Sequence, residues 1–245
     1  MITSVKNEKV KALRKLHNRK DRSDSEVFLI EGFHLVEEAC KSDWTVKEII
    51  VQHGVEAPRC CEGIAVLEVS DNVFQHISQT KAPQGIAAVL SMKYNNKSAG
   101  SRILLIDSIQ DPGNLGTIIR TADAAGFDGV VLGQGTVDLY NDKVIRSSQG
   151  SLFHIPILHR KLQDEIVLLK EKGFNIWATA LEDAKKYSEV VVNEKVALIV
   201  GNEGAGVKKE LLETADTIVN IPIYGKAESL NVSIAAGILM YYIRK

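Results

Sequence analysis

A chain of 245 residues, with 45% hydrophobic and 25% charged residues, has the composition of a folded protein of one large or two modest domains. It contains no apolar run long enough to span a bilayer and no apolar segment after its early lysines, so we expect neither a membrane anchor nor a signal peptide. Its three cysteines, Cys40, Cys60 and Cys61, have the spacing of neither a disulfide framework nor a zinc motif. We therefore predict a cytoplasmic protein without a metal.

The net charge of −1 conceals a basic segment at the start of the chain. Residues 1–22 carry eight Lys or Arg side chains against two acidic ones, a net charge of +6. Val5, Leu13 and Leu16 give this segment a weak helical pattern whose other faces are basic. A local bias of one sign favours a polyanionic partner such as nucleic acid. The alternative is a solvated helix that only keeps the protein soluble.

The rest of the first 92 residues predicts a small α/β domain. Apolar runs suited to strands recur at residues 27–30, 49–51, 64–67 and 85–90. Helical spacing follows Phe33, and Ser70 is placed to cap a helix that carries Val73, Phe74 and Ile77. The following stretch, 91–101, is polar and rich in small residues, which is typical of a linker. We place the first domain at residues 1–92.

Beyond the linker, apolar runs alternate with helical patterns, which predicts a second α/β domain at residues 102–245. The strand candidates are 103–106, 130–132, 176–178, 196–200 and 217–221. Their continuous hydrophobicity indicates a sheet covered on both faces, and the alternation with helices indicates a mainly parallel sheet. The last helix, about 232–242, is apolar nearly all round. Its residues Ile234, Ile238, Leu239 and Tyr242 offer more apolar surface than one small sheet covers, which predicts a dimer.

Polar, glycine-containing loops follow three of these strands, at residues 111–120, 201–206 and 221–233. Because ligands bind at the carboxyl ends of parallel strands, we expect the loops to form one composite site. In the first loop, Asn114 is placed to cap the next helix. Arg120 lies near the buried stripe of that helix and needs an anionic partner. That partner is either a substrate or one of three nearby carboxylates, those of Asp107, Asp111 and Asp123.

The second loop superficially resembles a dinucleotide-binding turn. Glu203, however, occupies the position of the second glycine, and no Gly-Lys-Ser/Thr sequence is present to form a P-loop. We expect Glu203 to point from the strand end into the site. In the third loop, Ser229 and Asn231 are candidates for substrate contacts or for capping the last helix, while backbone amides could bind an adenine edge or a carboxylate.

Together, the three loops resemble the signature motifs of the SpoU (TrmH-type) RNA ribose 2′-O-methyltransferases of the SPOUT class. The matching motifs are Asn114 with Arg120, residues 202–204 with Gly206, and residues 229–233. The likeness covers about residues 103–243. Further stretches similar to the family are 28–36 and 83–86, which are like its substrate-binding domain, and 144–153.

The resemblance implies a trefoil-knotted domain, S-adenosylmethionine as methyl donor, and a homodimer with its sites at the interface. Ordinary topology rules alone would argue against a knot. Carried over position by position, the resemblance gives Gly201, Ile221 and Leu230 as cofactor-binding residues. The catalytic residues that it implies are Asn114, Arg120, Glu203, Ser229 and Asn231.

We therefore predict methylation of a ribose 2′-hydroxyl in RNA, and expect ribosomal RNA to be the substrate. The N-terminal domain would hold structured RNA through phosphate contacts and shape. One alternative is a transfer RNA substrate, or base methylation, on the same fold. Another is a non-catalytic RNA-binding protein, which would have no need of Asn114, Arg120, Glu203 and Asn231 together. A nicotinamide dehydrogenase is a more distant alternative.

Overall fold

A computed structural model of the chain describes residues 1–93 and 100–245, which form two compact units. The first unit consists of Met1–Lys93 and Asp138–Phe153. The described part of the second unit consists of residues 100–137 and His154–Lys245. Most of the predicted linker, residues 94–99, lies outside the described part of the chain. The functional division into domains 1–92 and 102–245 stays a prediction.

The helices and strands are numbered in chain order. The helices are α1 (Glu8–Lys15), α2 (Arg19–Ser25), α3 (Phe33–Lys41), α4 (Asp71–Ile77), α5 (Pro112–Ala124), α6 (Asp142–Ser148), α7 (Leu162–Glu171), α8 (Lys209–Leu212) and α9 (Val232–Ile243). The strands are β1 (Val27–Glu31), β2 (Val46–Gln52), β3 (Val66–Val69), β4 (Ile86–Ser91), β5 (Arg102–Ile106), β6 (Gly129–Leu132), β7 (Ile157–His159), β8 (Asn175–Thr179), β9 (Lys185–Lys186), β10 (Val196–Val200) and β11 (Thr217–Asn220).

The first unit is built on a four-stranded sheet in the order β1-β4-β2-β3. Strand β4 is antiparallel to both β1 and β2, whereas β2 and β3 are parallel. Helices α1 and α4 pack on one face, where Val10, Leu13 and Phe74 meet apolar residues of the strands. Leu13 and Leu16 of the predicted amphipathic pattern are buried and Val5 is partly buried, and Val10, which the prediction did not name, is buried as well. The predicted α/β character of this part of the chain is confirmed.

Ser70 occupies the N-cap position of α4, as predicted, but its hydroxyl forms no capping hydrogen bond. The Ser70 Oγ atom is buried without a hydrogen-bond partner among the described residues. The acidic side chain of Asp71 follows in the first turn of α4, where negative charge favours a helix N-terminus. The start of this helix was therefore predictable, but the capping hydrogen bond expected from Ser70 does not form.

Residues 138–153 pack within the first unit through a buried ion pair and an aromatic cluster. Arg22 is 5% exposed, donates to the carbonyl oxygen of Leu16 at 2.7 Å and pairs with Asp138. The Tyr140 ring lies 4.6 Å from that of Phe28, between centroids. One of the eight basic residues of the first segment is therefore structural, since a buried guanidinium needs a paired charge.

The second unit contains a seven-stranded sheet in the order β7-β6-β5-β10-β8-β11-β9, with every paired strand parallel. All five residues of β10 are buried, as expected for a strand covered on both faces. One face carries α7 and α8, which pack on Ile103, Leu105 and Ile199. Helix α9 packs against β10 and against α5. The predicted parallel α/β sheet is confirmed, whereas the trefoil knot stays a prediction.

The last helix buries more of its surface than its composition predicted. Of the four residues expected to be exposed, Leu239 is 1% exposed and Ile238 and Tyr242 are partly buried. The Tyr242 hydroxyl donates to the carbonyl oxygen of Val190 at 2.9 Å. Ile234 alone among the four is exposed, at 55%, and Tyr241 joins it at 57%. None of the helices in the described part of the chain is long and apolar enough to cross a bilayer.

Candidate active site

The three polar loops predicted from the sequence begin at one edge of the parallel sheet. Asp107 directly follows β5, Gly201 follows β10, and Ile221 follows β11. Strands β5 and β10 are paired, and β11 is separated from β10 only by β8. Since all of these strands run in the same direction, their carboxyl ends meet at that edge, where ligands of open α/β sheets bind. The prediction of one composite site is consistent with this placement.

The first loop turns into α5 at Asp111, whose carboxylate accepts a hydrogen bond from the backbone amide of Asn114 at 2.9 Å. The prediction that Asn114 caps this helix is therefore wrong. Pro112 explains the difference, because proline favours the first helical position and so marks the residue before it as the cap. As a consequence, the amide side chain of Asn114 is available for contacts outside its own helix.

Side chains from the three loops form a continuous chain of hydrogen bonds. The Asn231 amide donates to Asn114 Oδ1 at 3.0 Å. The Asn114 amide in turn donates to Glu203 Oε1 at 3.1 Å. Each of these residues comes from a different loop, so the predicted motifs are joined directly. Three of the five predicted catalytic residues, Asn114, Glu203 and Asn231, are thus brought together.

Glu203 also holds the first loop through its backbone. Its carboxylate accepts hydrogen bonds from the backbone amides of Asp111 at 3.0 Å and Gln110 at 3.2 Å. Burial alone would raise the pKa of this carboxyl, but the donors, with Asn114 foremost, outweigh burial and lower the pKa below its usual value. Glu203 is therefore ionised at neutral pH and acts as an acceptor at the centre of the site.

The second loop folds back on itself. The Asn202 side chain accepts hydrogen bonds from the backbone amides of Gly204 and Ala205, both at 3.0 Å, and donates to the carbonyl oxygen of Ser108 at 2.8 Å. A Cβ atom on Gly201 would lie 2.2 Å from backbone atoms of Gly206 and Val207. Glycine is therefore required at position 201 by the return of the loop itself.

Asp107 is a buried residue of this edge that the prediction considered only as a partner of Arg120. It is 1% exposed, accepts a hydrogen bond from the backbone amide of Lys208 at 2.9 Å, and pairs with the Lys208 ammonium at 2.9 Å. These contacts join the end of β5 to the segment after the second loop. The feature of the sequence that could have identified Asp107 is a carboxylate placed directly after an apolar strand.

Arg120 and Ser229 lie outside the hydrogen-bond chain. Both are exposed. Arg120 follows Asn114 by six residues on α5, which places it roughly 9 Å along the helix and about a third of a turn around it. Two of the alternative partners are engaged elsewhere, since Asp107 pairs with Lys208 and Asp123 lies 3.0 Å from His154. Within residues 1–93 and 100–245, Arg120 has no ion-pair partner.

The third loop leaves backbone groups free at the edge of the sheet. Ile221 is half-buried and Leu230 is 37% exposed. Within the described residues, the backbone of 222–230 forms no hydrogen bond with other backbone groups. Asn231 then caps α9 by accepting from the Ser233 amide at 2.9 Å. Free amides and carbonyls beside an apolar side chain suit a ligand with both a planar heterocycle and polar edges, since such sites combine apolar walls with a few polar groups.

The stretches of the first unit that resemble the family come together around an open pocket of about 250 Å³. It is lined by His34, Gln84, Arg146 and Gln149, which come from three separate stretches of the sequence. Gln84 Oε1 accepts from the backbone amide of Phe33 at 2.9 Å, and His34 Nε2 lies 3.1 Å from the carbonyl oxygen of Gln149. The pocket is distinct from the loop site of the second unit.

Comparisons with known proteins agree with these motifs. The SpoU rRNA Methylase family matches residues 101–241, and the MRM3-like substrate binding domain matches residues 7–88. The chain is 51% identical to the 23S rRNA (guanosine(2553)-2′-O)-methyltransferase RlmP of Bacillus subtilis (strain 168), over 99% of this chain and 98% of that protein. It is 33% identical to an uncharacterized tRNA/rRNA methyltransferase of Synechocystis sp. (strain ATCC 27184 / PCC 6803 / Kazusa), over 100% and 93% of the two chains.

Solved structures of methyltransferases are also similar to this chain. The AdoMet-bound rRNA methyltransferase from Sinorhizobium meliloti superposes with a TM-score of 0.90 at 33% identity, covering 99% of this chain and 96% of that one. An RNA 2′-O ribose methyltransferase superposes with a TM-score of 0.86 at 34% identity, covering 99% and 97%. The likeness therefore extends over both units of the chain.

Proposed function

The chain belongs to the SpoU rRNA methylase family, and we infer that it is an enzyme that transfers the methyl group of S-adenosylmethionine to a ribose 2′-hydroxyl of ribosomal RNA. The observation that carries this inference is the hydrogen-bond chain from Asn231 through Asn114 to Glu203. A binding protein would have no need to join all three motif loops through polar side chains. The rival function of a non-catalytic RNA-binding protein is therefore disfavoured.

The proposed substrate is the guanosine of 23S rRNA that corresponds to the one named for the Bacillus subtilis relative. Support comes from the 51% identity over nearly the full length of both proteins. Transfer RNA is the second candidate, because other similar proteins are named as tRNA/rRNA methyltransferases. A ribosomal substrate also favours the cytoplasm as the site of action.

The third loop and Gly201 are the proposed binding site for S-adenosylmethionine. The free backbone groups of 222–230 fit the polar edges of the adenine, and the apolar side chains of Ile221 and Leu230 fit its faces. When bound, the cofactor supplies a methyl group activated by a sulfonium. The role of Gly201 is to permit the tight return of the second loop beside that site.

The proposed catalytic roles follow from where each side chain lies. Asn114 and Asn231 orient the nucleotide, and Glu203 fixes the first and second loops. Arg120, exposed and without an ion pair in the described chain, would bind a phosphate next to the target ribose and stabilise negative charge that develops on its 2′-oxygen. Because a guanidinium stays protonated in proteins, we prefer this role to that of a base. Ser229 is the proposed further contact to the substrate.

The first unit is proposed to hold the RNA. Its basic residues Lys15, Arg19 and Lys20 are exposed, and Arg146 in the open pocket adds a further cation. Such groups would bind phosphates irrespective of sequence, which suits the recognition of folded RNA by shape.

The proposed homodimer would cover the apolar side chains that remain exposed on and before α9. Ile234 and Tyr241 are seven residues apart and so share one face of the helix, and Leu230 precedes it. A cluster of large apolar side chains on one face is typical of an interface. The proposed partner is a second copy of this chain.

The function is tested by mass spectrometry of ribosomal and transfer RNA from cells with and without the protein. We expect a single 2′-O-methylguanosine to be lost from 23S rRNA when the protein is absent. Loss of a methyl group from transfer RNA, or from a base, would contradict the proposed substrate. Unchanged RNA in both fractions would contradict the activity itself.

A further inference from the structure

The fold of the first unit gathers the three cysteines of the chain into one cluster. Cys40 lies in the last turn of α3, and Cys60 and Cys61 lie in a short 3-10 turn, Arg59–Cys61. Their Sγ atoms all lie within 4.8 Å of one another, and those of Cys40 and Cys61 are 3.8 Å apart. Spacing along the chain gave no sign of this cluster, because about twenty residues separate Cys40 from the adjacent pair.

The distances suit three ligands of one metal ion. With metal–sulfur bonds of about 2.3 Å, sulfurs in a trigonal site lie about 4.0 Å apart and those in a tetrahedral site about 3.8 Å apart. The Cys40–Cys61 separation of 3.8 Å matches the tetrahedral value, and the limit of 4.8 Å on the other separations lies at most about an ångström above these values. A disulfide, by contrast, would need two sulfurs at about 2.05 Å, and all three cysteines are free.

The backbone around the cluster is already fixed. The Cys61 amide donates to the carbonyl oxygen of Pro58 at 2.9 Å, which closes the 3-10 turn. On α3, Val36 and Ala39 are completely buried, so the helix cannot move its last turn away from the sheet without loss of core packing. Cys61 is 3% exposed, whereas Cys60 is exposed. An ion therefore has a preformed set of ligands and a path from solvent.

We propose that Cys40, Cys60 and Cys61 form a binding site for a soft cation, and that Cu(I) is the ion that it binds best. Thiolate ligands without nitrogen or oxygen donors select soft ions. Within the described residues, the group of candidate ligands contains only the three sulfurs. Three-coordinate sulfur suits Cu(I), whereas structural Zn²⁺ almost always takes four protein ligands.

The test is a titration of the reduced, full-length protein with Cu(I) under anaerobic conditions, against a chromophoric Cu(I) chelator as competitor. We expect one Cu(I) per chain and a thiolate-to-copper absorption band in the ultraviolet. Cys60→Ser replaces an exposed residue and should leave the fold intact, as judged by its melting temperature. It should weaken Cu(I) binding by about a hundredfold or more, since loss of outer-shell partners alone costs 10–100-fold.

Glu62→Gln is the matched control, because Glu62 is an exposed neighbour of the same turn without a thiol. It should bind Cu(I) as the wild type does. Equal affinity in the wild type, Cys60→Ser and Cys40→Ser would overturn the proposal. Preference for Zn²⁺ over Cu(I) in a parallel titration would overturn the assignment of the ion. The readout is independent of methyltransferase activity.

Discussion

Asn114 is the residue through which the three loops of the candidate active site are joined. It donates to Glu203 and accepts from Asn231, and it can do so because Asp111, rather than Asn114, caps α5. The sequence indicated the loops and most of their polar residues. It could not indicate this partition of roles, because both Asp and Asn are good N-caps and only the proline at the next position distinguishes them.

Arg120 is expected to be the residue on which turnover depends most. Arg120→Ala should lower kcat by about a hundredfold or more, in the range found for lost electrostatic stabilisers, with little change in cofactor affinity. Arg120→Lys keeps the charge but loses the planar fork, and substantial residual activity with an unshifted pH profile would support electrostatic stabilisation. Single-turnover methylation assays measure the rate of methyl transfer in both Arg120 variants. Thr117→Ala, at an exposed position of the same helix, is the control, and wild-type turnover in Arg120→Ala would rule out a catalytic role.

Glu203 should make the stability of the protein depend on pH. Its pKa is lowered in the folded state, so its contribution is complete above the unfolded pKa of about 4.3 and is lost as the pH falls through the lower folded value. At neutral pH, we expect the free energy of unfolding of the wild type to exceed that of Glu203→Gln. The difference should be no more than about 1 kcal/mol, because Glu203 is exposed. This difference should shrink below about pH 4. A difference that does not shrink as the pH falls below the unfolded pKa would contradict the assignment.

At the scale of the elements, the parallel sheet of the second unit and the core helices of the first were predictable from apolar periodicity. β10 consists entirely of apolar residues, as does β5 after Arg102, and Leu13 and Leu16 of the predicted helical pattern lie in the core. The position of residues 138–153 was not predictable. It depends on contacts distant in sequence, such as the pair of Arg22 with Asp138. The three-residue strand β7 and the two-residue strand β9 are too short to show a pattern.

The basic segment formed by α1 and α2 contains two kinds of cation. Arg14 donates to the carbonyl oxygen of His76 at 2.9 Å, and Arg22 is buried, so both support the fold. Lys15, Arg19 and Lys20 are exposed and are the candidates for phosphate contacts. Replacing these three with alanine should weaken RNA binding and reduce the slope of log K against log salt by up to about three.

The matched control for this variant replaces three exposed lysines of the second unit, Lys161, Lys172 and Lys209. It should change RNA binding less, and cofactor binding should be the same in both triple variants. Filter-binding at several salt concentrations measures the slopes. Equal slopes in the wild type and in the variant of the basic segment would mean that α1 and α2 serve only solubility and folding.

At the scale of the whole molecule, both the SpoU match and the substrate-binding match lie on one chain, and the likeness to solved methyltransferases spans both units. The parallel sheet followed from alternating apolar runs. The predicted knot and the predicted dimer would depend instead on how the chain threads and associates, which local periodicity does not encode. Exposure in the structure narrows the expected interface to the surface around Ile234 and Tyr241.

We expect the protein to sediment at twice the 26.9 kDa mass of one chain at micromolar concentration. Ile234→Asp combined with Tyr241→Asp should shift it to the monomer, because two charges would be buried without partners in an apolar interface. Val167→Asp, at a position of α7 that is 57% exposed, should remain dimeric. An active wild-type monomer under these conditions would contradict the proposed assembly.

The most direct test of the central claim is methyl transfer by the purified protein in vitro. S-adenosylmethionine with a labelled methyl group is supplied together with 23S rRNA from cells that lack the protein, and the product is mapped by nuclease digestion and mass spectrometry. We predict one labelled methyl per RNA, on the ribose 2′-oxygen of a single guanosine, and at least a hundredfold less in Arg120→Ala, as for a lost electrostatic stabiliser. Label on a base, or no label above that of the alanine variant, would contradict the account.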